Sequence, residues 1–318
     1  MEPFIALTDK AWFDFLRRQA HGATIDEVNF WSPRSGRPLK NLLLGQPVFL
    51  RLKSPYQVIA GYGFFAHFCK LEVRTAWDLF DWKNGDPNLL RFLGRLGRYR
   101  GADLFDPRVE HPPLACTILR NARFWEPDRW LRWDEDMGWP PHVVRGRTER
   151  DQFRINRLHT EIAADGQKEP LELVQPFHLA DTDERRIIAS TTPAREGQAT
   201  FRARLMDAYH RRCAISGERT EPVLDAAHIQ PYLGPRSNHT QNGLLLTKEF
   251  HALFDKGLMT ITADHRVRIS PVLDRKWHNG RRYYSFDGHK LEVVPDDPAC
   301  RPSPQALQWH QQRIFRNA

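Results

Sequence analysis

The stretch from Glu221 to Gly257 constrains this chain more tightly than any other. Glu221 to Ile229 reads as a short strand ending in Ala226-Ala227-His228-Ile229, and Pro231, Gly234 and Pro235 break the chain after it. Leu244 to Leu246 reads as a second strand. Lys248 to Asp255 has helical spacing, with Thr247 placed to N-cap it and Gly257 placed to end it. The local order is strand, loop, strand, helix. Upstream, Phe201 to Arg212 is an amphipathic helix with Leu205, Met206 and Tyr209 on one face, and Cys213 to Gly217 turns the chain.

That element carries His228, Asn242, His251 and Asp255. His251 and Asp255 stand at i and i+4, so both project from one helix face and can share a metal ion. An imidazole with a carboxylate suits Mg²⁺, Mn²⁺, Ni²⁺ or Zn²⁺, with water filling the other positions. His228 ends the first strand and need not be a ligand. An imidazole titrates near working pH, so it can take a proton from water as a general base. Asn242 can tie down the long loop through its amide. Together these residues describe metal-assisted hydrolysis. Singly, each has a plainer reading: an exposed His-x-x-x-Asp pair, and a satisfied core histidine beside two alanines.

The chain is 318 residues long, which suggests two domains at roughly 100–200 residues each. A composition of 41% hydrophobic and 27% charged residues argues against disorder. No apolar run approaches the ~18 residues of a membrane span. The start, MEPFIALTDKAWFDF, lacks the basic region and cleavage site of a secretory signal, so a cytoplasmic protein is expected. Cys69, Cys116, Cys213 and Cys300 lie far apart with no CxxC pair, which argues against a disulfide framework or a four-cysteine zinc site. The formal net charge is +8, carried by basic blocks at both ends around an acidic middle, and such a balance suits a polyanion.

Residues 1–147 mix strands and helices. Pro47 to Lys53 alternates, with Val48, Leu50 and Leu52 on one face, and Val58 to Phe65 is an apolar strand interrupted by Gly61 and Gly63. Leu114 to Leu119 adds another. Thr8 to Arg18, Thr75 to Phe80 and Asn88 to Arg100 read as helices, the last with Leu89, Leu90, Leu93 and Leu96 inward and Arg91, Arg95 and Arg98 outward. Residues 148–199 have little period-2 character and read as a connector with one helix. Residues 200–318 form the second domain.

The string Cys213-Ala-Ile-Ser-Gly217, then Leu224-Asp-Ala-Ala-His-Ile229 with Pro231-Tyr232, then Asn242-Gly-Leu-Leu-Leu246 and His251-Ala-Leu-Phe-Asp255, resembles the HNH endonuclease family. The resemblance implies a ββα-metal fold that cleaves phosphodiester bonds. It assigns His228 as general base, Asn242 as the middle Asn, His251 as metal ligand and Asp255 as a further ligand. Many members carry Asp or His directly before the base, where this chain has Ala227; Asp225, two residues back on the same strand face, is the substitute candidate.

The N-terminal strings Val28-Asn29-Phe30-Trp31-Ser32-Pro33, Leu44-Gly-Gln-Pro-Val-Phe49 and Ile59-Ala-Gly-Tyr-Gly-Phe64 resemble the PUA superfamily, which includes ASCH and EVE domains. That implies a small nucleic-acid-binding β-barrel. A flipped base would stack between Trp31 and Tyr62, with Asn29 and Ser32 reading its edge and Arg91, Arg95 and Arg98 facing phosphates. The expected protein is thus α+β, a PUA-like β-barrel with helices followed by a ββα-metal domain. Its expected activity is that of a restriction endonuclease acting in defence against phage DNA carrying 5-hydroxymethyl- or 5-methylcytosine. It would use Mg²⁺ or Mn²⁺ and act as a homodimer on double-stranded DNA. The alternatives are a nickase or nuclease indifferent to modification, and a non-catalytic nucleic-acid-binding protein.

Overall fold

The computed structural model describes residues 1–33, 42–106, 111–132, 146–167, 175–184 and 196–317. The chain divides into two compact units, Met1–Val174 and Gln175–Ala318.

The first unit runs β1 (Phe4–Thr8), α1 (Lys10–Ala20), β2 (Ile25–Ser32), β3 (Pro47–Leu52), β4 (Val58–Leu71), α2 (Val73–Phe80), α3 (Leu89–Arg100), β5 (Leu114–Phe124), β6 (Leu131–Arg132), β7 (Arg147–Thr148) and α4 (Gln152–Ala164). The helices begin where short polar side chains cap them. Asp9 accepts from Trp12 N at 2.9 Å to start α1, Asn88 accepts from Arg91 N at 3.0 Å to start α3, and Asp151 accepts from Arg154 N at 3.0 Å to start α4. The strands follow the order β2-β5-β4-β3-β1-β7, with β6 on β4 and β1 parallel to β3. Among the described residues this sheet is open. The pairing of β1 with β7 spans only two residues, and β2 at the other edge does not meet it, so the closed barrel expected from the sequence is replaced by a mixed sheet.

Both faces of the sheet are covered. Val48, Leu50, Leu52 and Ala60 pack with Trp12, Phe13 and Leu16 of α1. Phe49, Ile59, Tyr62 and Phe64 point the other way and pack with Trp125 and with Leu158 and Ile162 of α4. Burying each such side chain contributes roughly 1.5–3 kcal/mol. Within the stretch expected as a connector, α4 is therefore a packing element of this unit; residues 168–174 and 185–195 lie outside the described residues. Gly61 permits the close approach of β5, since a Cβ there would stand 2.2 Å from the Arg123 carbonyl oxygen.

The second unit runs α5 (Gln198–Ala208), β8 (Leu224–His228), β9 (Gly243–Thr247), α6 (Lys248–Asp255), β10 (Met259–Ile261), β11 (Val267–Ile269), α7 (Val272–Trp277), α8 (Arg281–Tyr284) and α9 (Pro304–Arg313). Strands β8 and β9 pair antiparallel from Leu224↔Thr247 to His228↔Gly243, and α6 follows directly. Its core gathers Phe201, Leu205 and Met206 of α5, the inward residues of β8 and β9, Phe250 and Phe254 of α6, and Ala306 and Leu307 of α9. Thr247 occupies the N-cap position of α6, but its side chain makes no capping hydrogen bond. No described helix is long and apolar enough to cross a membrane.

Candidate active site

The strand β8 presents Asp225 and His228 at its second and last residues, roughly 10 Å apart at strand rise. Between them Ala226 and Ala227 are buried in the core, so the residue before His228 offers no ligand. Asp225 instead reaches α6, where His251 lies between two carboxylates. His251 Nδ1 is 2.8 Å from Asp225 Oδ2, and Nε2 is 3.3 Å from Asp255 Oδ2. Burial opposes the charged imidazole, but hydrogen bonds and charge from both carboxylates outweigh it and raise the His251 pKa to about 9. Burial likewise opposes the Asp225 carboxylate, but the hydrogen bond and charge of His251, helped by the Ala226 amide, hold its pKa below the usual value. The three residues expected to bind metal thus form one cluster across β8 and α6.

The donor set of that cluster is one imidazole and two carboxylates, which is the chemistry of a divalent ion that accepts nitrogen and oxygen. Among the described residues no group of three or more such side chains is placed to hold a metal ion, and both imidazole nitrogens of His251 face carboxylates. An ion in place of one proton would keep the other nitrogen on its carboxylate, the common arrangement for a ligating histidine. The residues fit the group.

His228 is 9% exposed and held on three sides. Phe201 stacks on its ring with centroids 4.2 Å apart, Tyr232 meets it edge-on, and its Nε2 lies 3.0 Å from Asn238 Oδ1. Asn242 is fully buried and pins the loop after β8: its Oδ1 accepts from Gln230 N at 2.8 Å, and its Nδ2 donates to the carbonyl oxygens of Gln230 and Ser237, each at 3.0 Å. Sequence reasoning missed Asn238 and Phe201. Phe201 is expected on an amphipathic helix, yet helical spacing does not say which strand end its ring will cover. Asn238 sits in an irregular loop, where spacing carries no signal.

In the first unit the residues expected at a base pocket separate. Asn29 is fully buried, donating from Nδ2 to Asn84 Oδ1 at 2.9 Å, and Tyr62 is fully buried against Phe49, Phe64 and Trp125. Neither is among the residues that wall the cavity of this unit at Trp31. Ser32 is exposed at the end of β2. Trp31 does line it, a cavity of about 190 Å³ walled by Trp12, Phe30, Trp31 and Tyr99, with Asp9 and Lys53 at its polar side. There Asp9 Oδ2 accepts from Tyr99 OH at 2.5 Å. Burial opposes its charge, but that bond, the Trp12 amide and Arg95 hold the Asp9 carboxyl below its usual pKa. Of the arginines expected to face phosphate, Arg91 and Arg98 are exposed and Arg95 is not. Arg95 is buried, donates to the carbonyls of Asn84 and Gly85, pairs with Asp86 at 2.5 Å and lies 5.1 Å over the Trp31 ring. The helix is turned so that Leu90, expected inside, is exposed in its place.

Residues 213–262 match the family model HNH_2, described as HNH endonuclease. No curated protein matches the chain. Among solved structures the chain is similar to ASCH from Zymomonas mobilis, with 14% identity over 49% of this chain and 94% of that one and a TM-score of 0.32. A similar match is to a point mutant of the same protein, at 15% identity over 49% and 95% with a TM-score of 0.31. A third is to a structure titled modification-dependent TagI restriction endonuclease, at 13% identity over 92% of this chain and 76% of that one with a TM-score of 0.27. The family match falls on the segment that carries β8, β9 and α6 with His228, Asn242 and His251, so the chain carries an HNH endonuclease domain and is a nuclease that hydrolyses DNA phosphodiester bonds.

Proposed function

We propose that this nuclease is a modification-dependent restriction endonuclease, in which the second unit cuts DNA and the first reads a modified cytosine, 5-hydroxymethyl- or 5-methylcytosine. The observation that carries the reading role is the aromatic cavity of the first unit, where Trp12, Phe30, Trp31 and Tyr99 surround a space with the Asp9 carboxylate at its side. Aromatic walls stack a base taken out of the duplex, and polar groups read its edge. The ionised Asp9 accepts hydrogen bonds and Lys53 donates them, a pairing that suits a base edge bearing both an amino group and an acceptor.

In the second unit His228 is the base that takes a proton from water as the water oxygen attacks phosphorus in line. The bond to the 3′ oxygen breaks, leaving 5′-phosphate and 3′-hydroxyl ends. Asn242 acts by holding the loop that borders His228. His251, Asp255 and Asp225 would hold a divalent ion, Mg²⁺ or Mn²⁺, which supplies positive charge to the departing oxygen. One such site cuts one strand, so a double-strand break calls for two copies, most simply a homodimer.

The test is cleavage of matched phage DNAs carrying plain cytosine, 5-methylcytosine or 5-hydroxymethylcytosine, with Mg²⁺ or Mn²⁺. Cleavage of a modified DNA alone is expected. Equal cleavage of all three overturns the base-reading role and leaves a plain nuclease. In the same assay His228→Ala is expected to bind DNA without cutting it.

A further inference from the structure

We propose that the basic turn joining α7 to α8 is an arm that docks the backbone of duplex DNA near the candidate metal cluster, without regard to sequence or modification. The inference goes beyond the base-reading role given to the first unit and rests only on the chain being a DNA nuclease.

Four cations, Arg275, Lys276, Arg281 and Arg282, fall within eight residues, and all four are exposed. Asp274 is the one acid among residues 272–282. Arg282 pairs with Glu249 of α6 at 2.8 Å. Among the described residues Arg275, Lys276 and Arg281 have no ion-pair partner. Helix ends do not account for the set. Arg275 and Lys276 sit in the last turn of α7, where positive charge is favoured, but Arg281 and Arg282 begin α8 and gain nothing from its positive end. Like charges gathered this closely repel one another, and a polyanion relieves the repulsion. Trp277 stands among them 49% exposed, with Lys276 Nζ 5.0 Å from its ring centroid. An exposed indole beside cations offers a partner an apolar face as well as charge.

The arm is a fixed element. The His278 amide bonds to the Asp274 carbonyl at 2.8 Å, which ends α7. Gly280 then turns the chain at a φ of +110°, where a Cβ would stand 3.1 Å from Leu273 Cβ. Tyr284 OH donates to Ser270 O at 2.9 Å. Tyr283 and Phe286 meet Phe250 of α6 edge-on, with centroids 6.0 and 5.2 Å apart. Glu249 and Phe250 directly precede His251, so the arm is anchored to the helix that carries the cluster. A duplex carries one charge per about 1.7 Å of its axis, so DNA with one phosphorus at His251 brings flanking phosphates to the neighbourhood of α6. An arm already held in place engages them at a smaller entropic cost. The arm also lies outside residues 213–262, the segment that matches the nuclease family.

The experiment titrates full-length protein in EDTA with duplexes of one sequence, carrying plain cytosine or 5-methylcytosine, between about 50 and 200 mM salt. Arg275→Ala, Lys276→Ala and Arg281→Ala are each expected to weaken binding roughly 5- to 10-fold at about 0.1 M salt, equally for both duplexes. Each is expected to reduce the slope of log affinity against log salt by about 1, and the triple variant by about 3. Arg275→Lys and Arg281→Lys keep the charge and are expected to keep affinity and slope. Trp277→Ala is expected to weaken binding and leave the slope as it is. With Mg²⁺ or Mn²⁺ present, the losses are expected in KM far more than in kcat. The proposal is overturned if the triple variant, still folded by its thermal transition, keeps wild-type affinity and slope. A loss confined to the modified duplex overturns it by making the arm part of base reading, and a loss confined to single strands overturns it by making the arm a holder of unpaired DNA. A changed sedimentation with wild-type DNA binding overturns it too, since the arm is then a contact between copies. If the triple variant unfolds, the three single variants decide by the same slopes. Equal wild-type affinity for both duplexes is a separate failure, of the base-reading role, and leaves the arm in place.

Discussion

His251 Nδ1 lies 2.8 Å from Asp225 Oδ2, and that one bond joins the helix α6 to the strand β8 across the candidate metal cluster. Asp225 thus reaches His251 from β8, whereas Ala227 is buried in the core. Replacing Asp225 with Asn keeps the shape and removes the charge, and is expected to lower cleavage roughly 10- to 100-fold by weakening metal affinity or misorienting the imidazole. EDTA is expected to stop cleavage by the wild type, and added Mn²⁺ or Mg²⁺ to restore it. Titrating each metal against cleavage rate in wild type and Asp225→Asn checks both; equal metal dependence in the two proteins would remove Asp225 from the site.

Gly243 pairs with His228 across β8 and β9, and its φ of −133° is ordinary extended backbone. Glycine is needed there for space: a Cβ would stand 2.6 Å from Leu205 Cδ1 and 2.8 Å from Phe201 Cζ. Gly243→Ala is expected to push α5 off the strand at a cost of about 1–3 kcal/mol and to disturb the stack of Phe201 on His228. Urea melts and kcat measured on one preparation should fall together.

His310 is buried, stacked on Phe254 with centroids 3.7 Å apart, and hydrogen-bonded through Nε2 to the Phe254 carbonyl and through Nδ1 to Thr260. Burial holds its pKa down to about 4, against 6.5 for a free histidine, despite the Phe254 carbonyl and Asp255. Between those values the unfolded chain binds the proton and the folded chain does not, so stability is lost as pH falls from about 6.5 towards 4. At pH 4.5 the wild type is expected to lose roughly 2–3 kcal/mol more than His310→Gln, relative to pH 7.5. Denaturant melts of the two proteins at both pH values measure the difference.

Arg95 and Asp86 form a buried pair in the first unit. Burial pushes the Asp86 carboxyl up to about 6 even with Arg95 beside it, so removing Arg95 leaves an uncompensated group. Arg95→Ala is expected to destabilise the protein by about 3–5 kcal/mol. Arg91→Ala and Arg98→Ala, at exposed positions on the same helix, are expected to leave the melting temperature unchanged. A thermal melt of all three variants is sufficient. Should Arg95→Ala melt with the wild type, the pair would not hold this unit together.

What was legible from residue order alone is local. Lys248 to Asp255 is a helix because its apolar spacing has one period, and the i, i+4 geometry of that helix puts His251 and Asp255 on one face whatever else the chain does. The period of 2 along β8 likewise made Asp225 a candidate, and β3, β4 and β5 begin at the residues expected, Pro47, Val58 and Leu114.

Long-range packing decided the rest. Alternation in β3 separates Val48, Leu50 and Leu52 from Phe49, but it cannot say that the second face is also covered, because the cover is α4, far away in a stretch with no strand period. For that reason Tyr62 and Asn29 belong to the interior, while the cavity draws Trp12, Trp31 and Tyr99 from three separate elements. Arg95 turned inward because a buried carboxylate and two carbonyl oxygens met its guanidinium there, partners that no spacing reveals. Asn238 came to hold His228 because a buried amide places the turn that carries it. Periodicity records which side chains share a face; only the folded chain determines what that face meets, since a buried polar group takes its role from the partner that satisfies it.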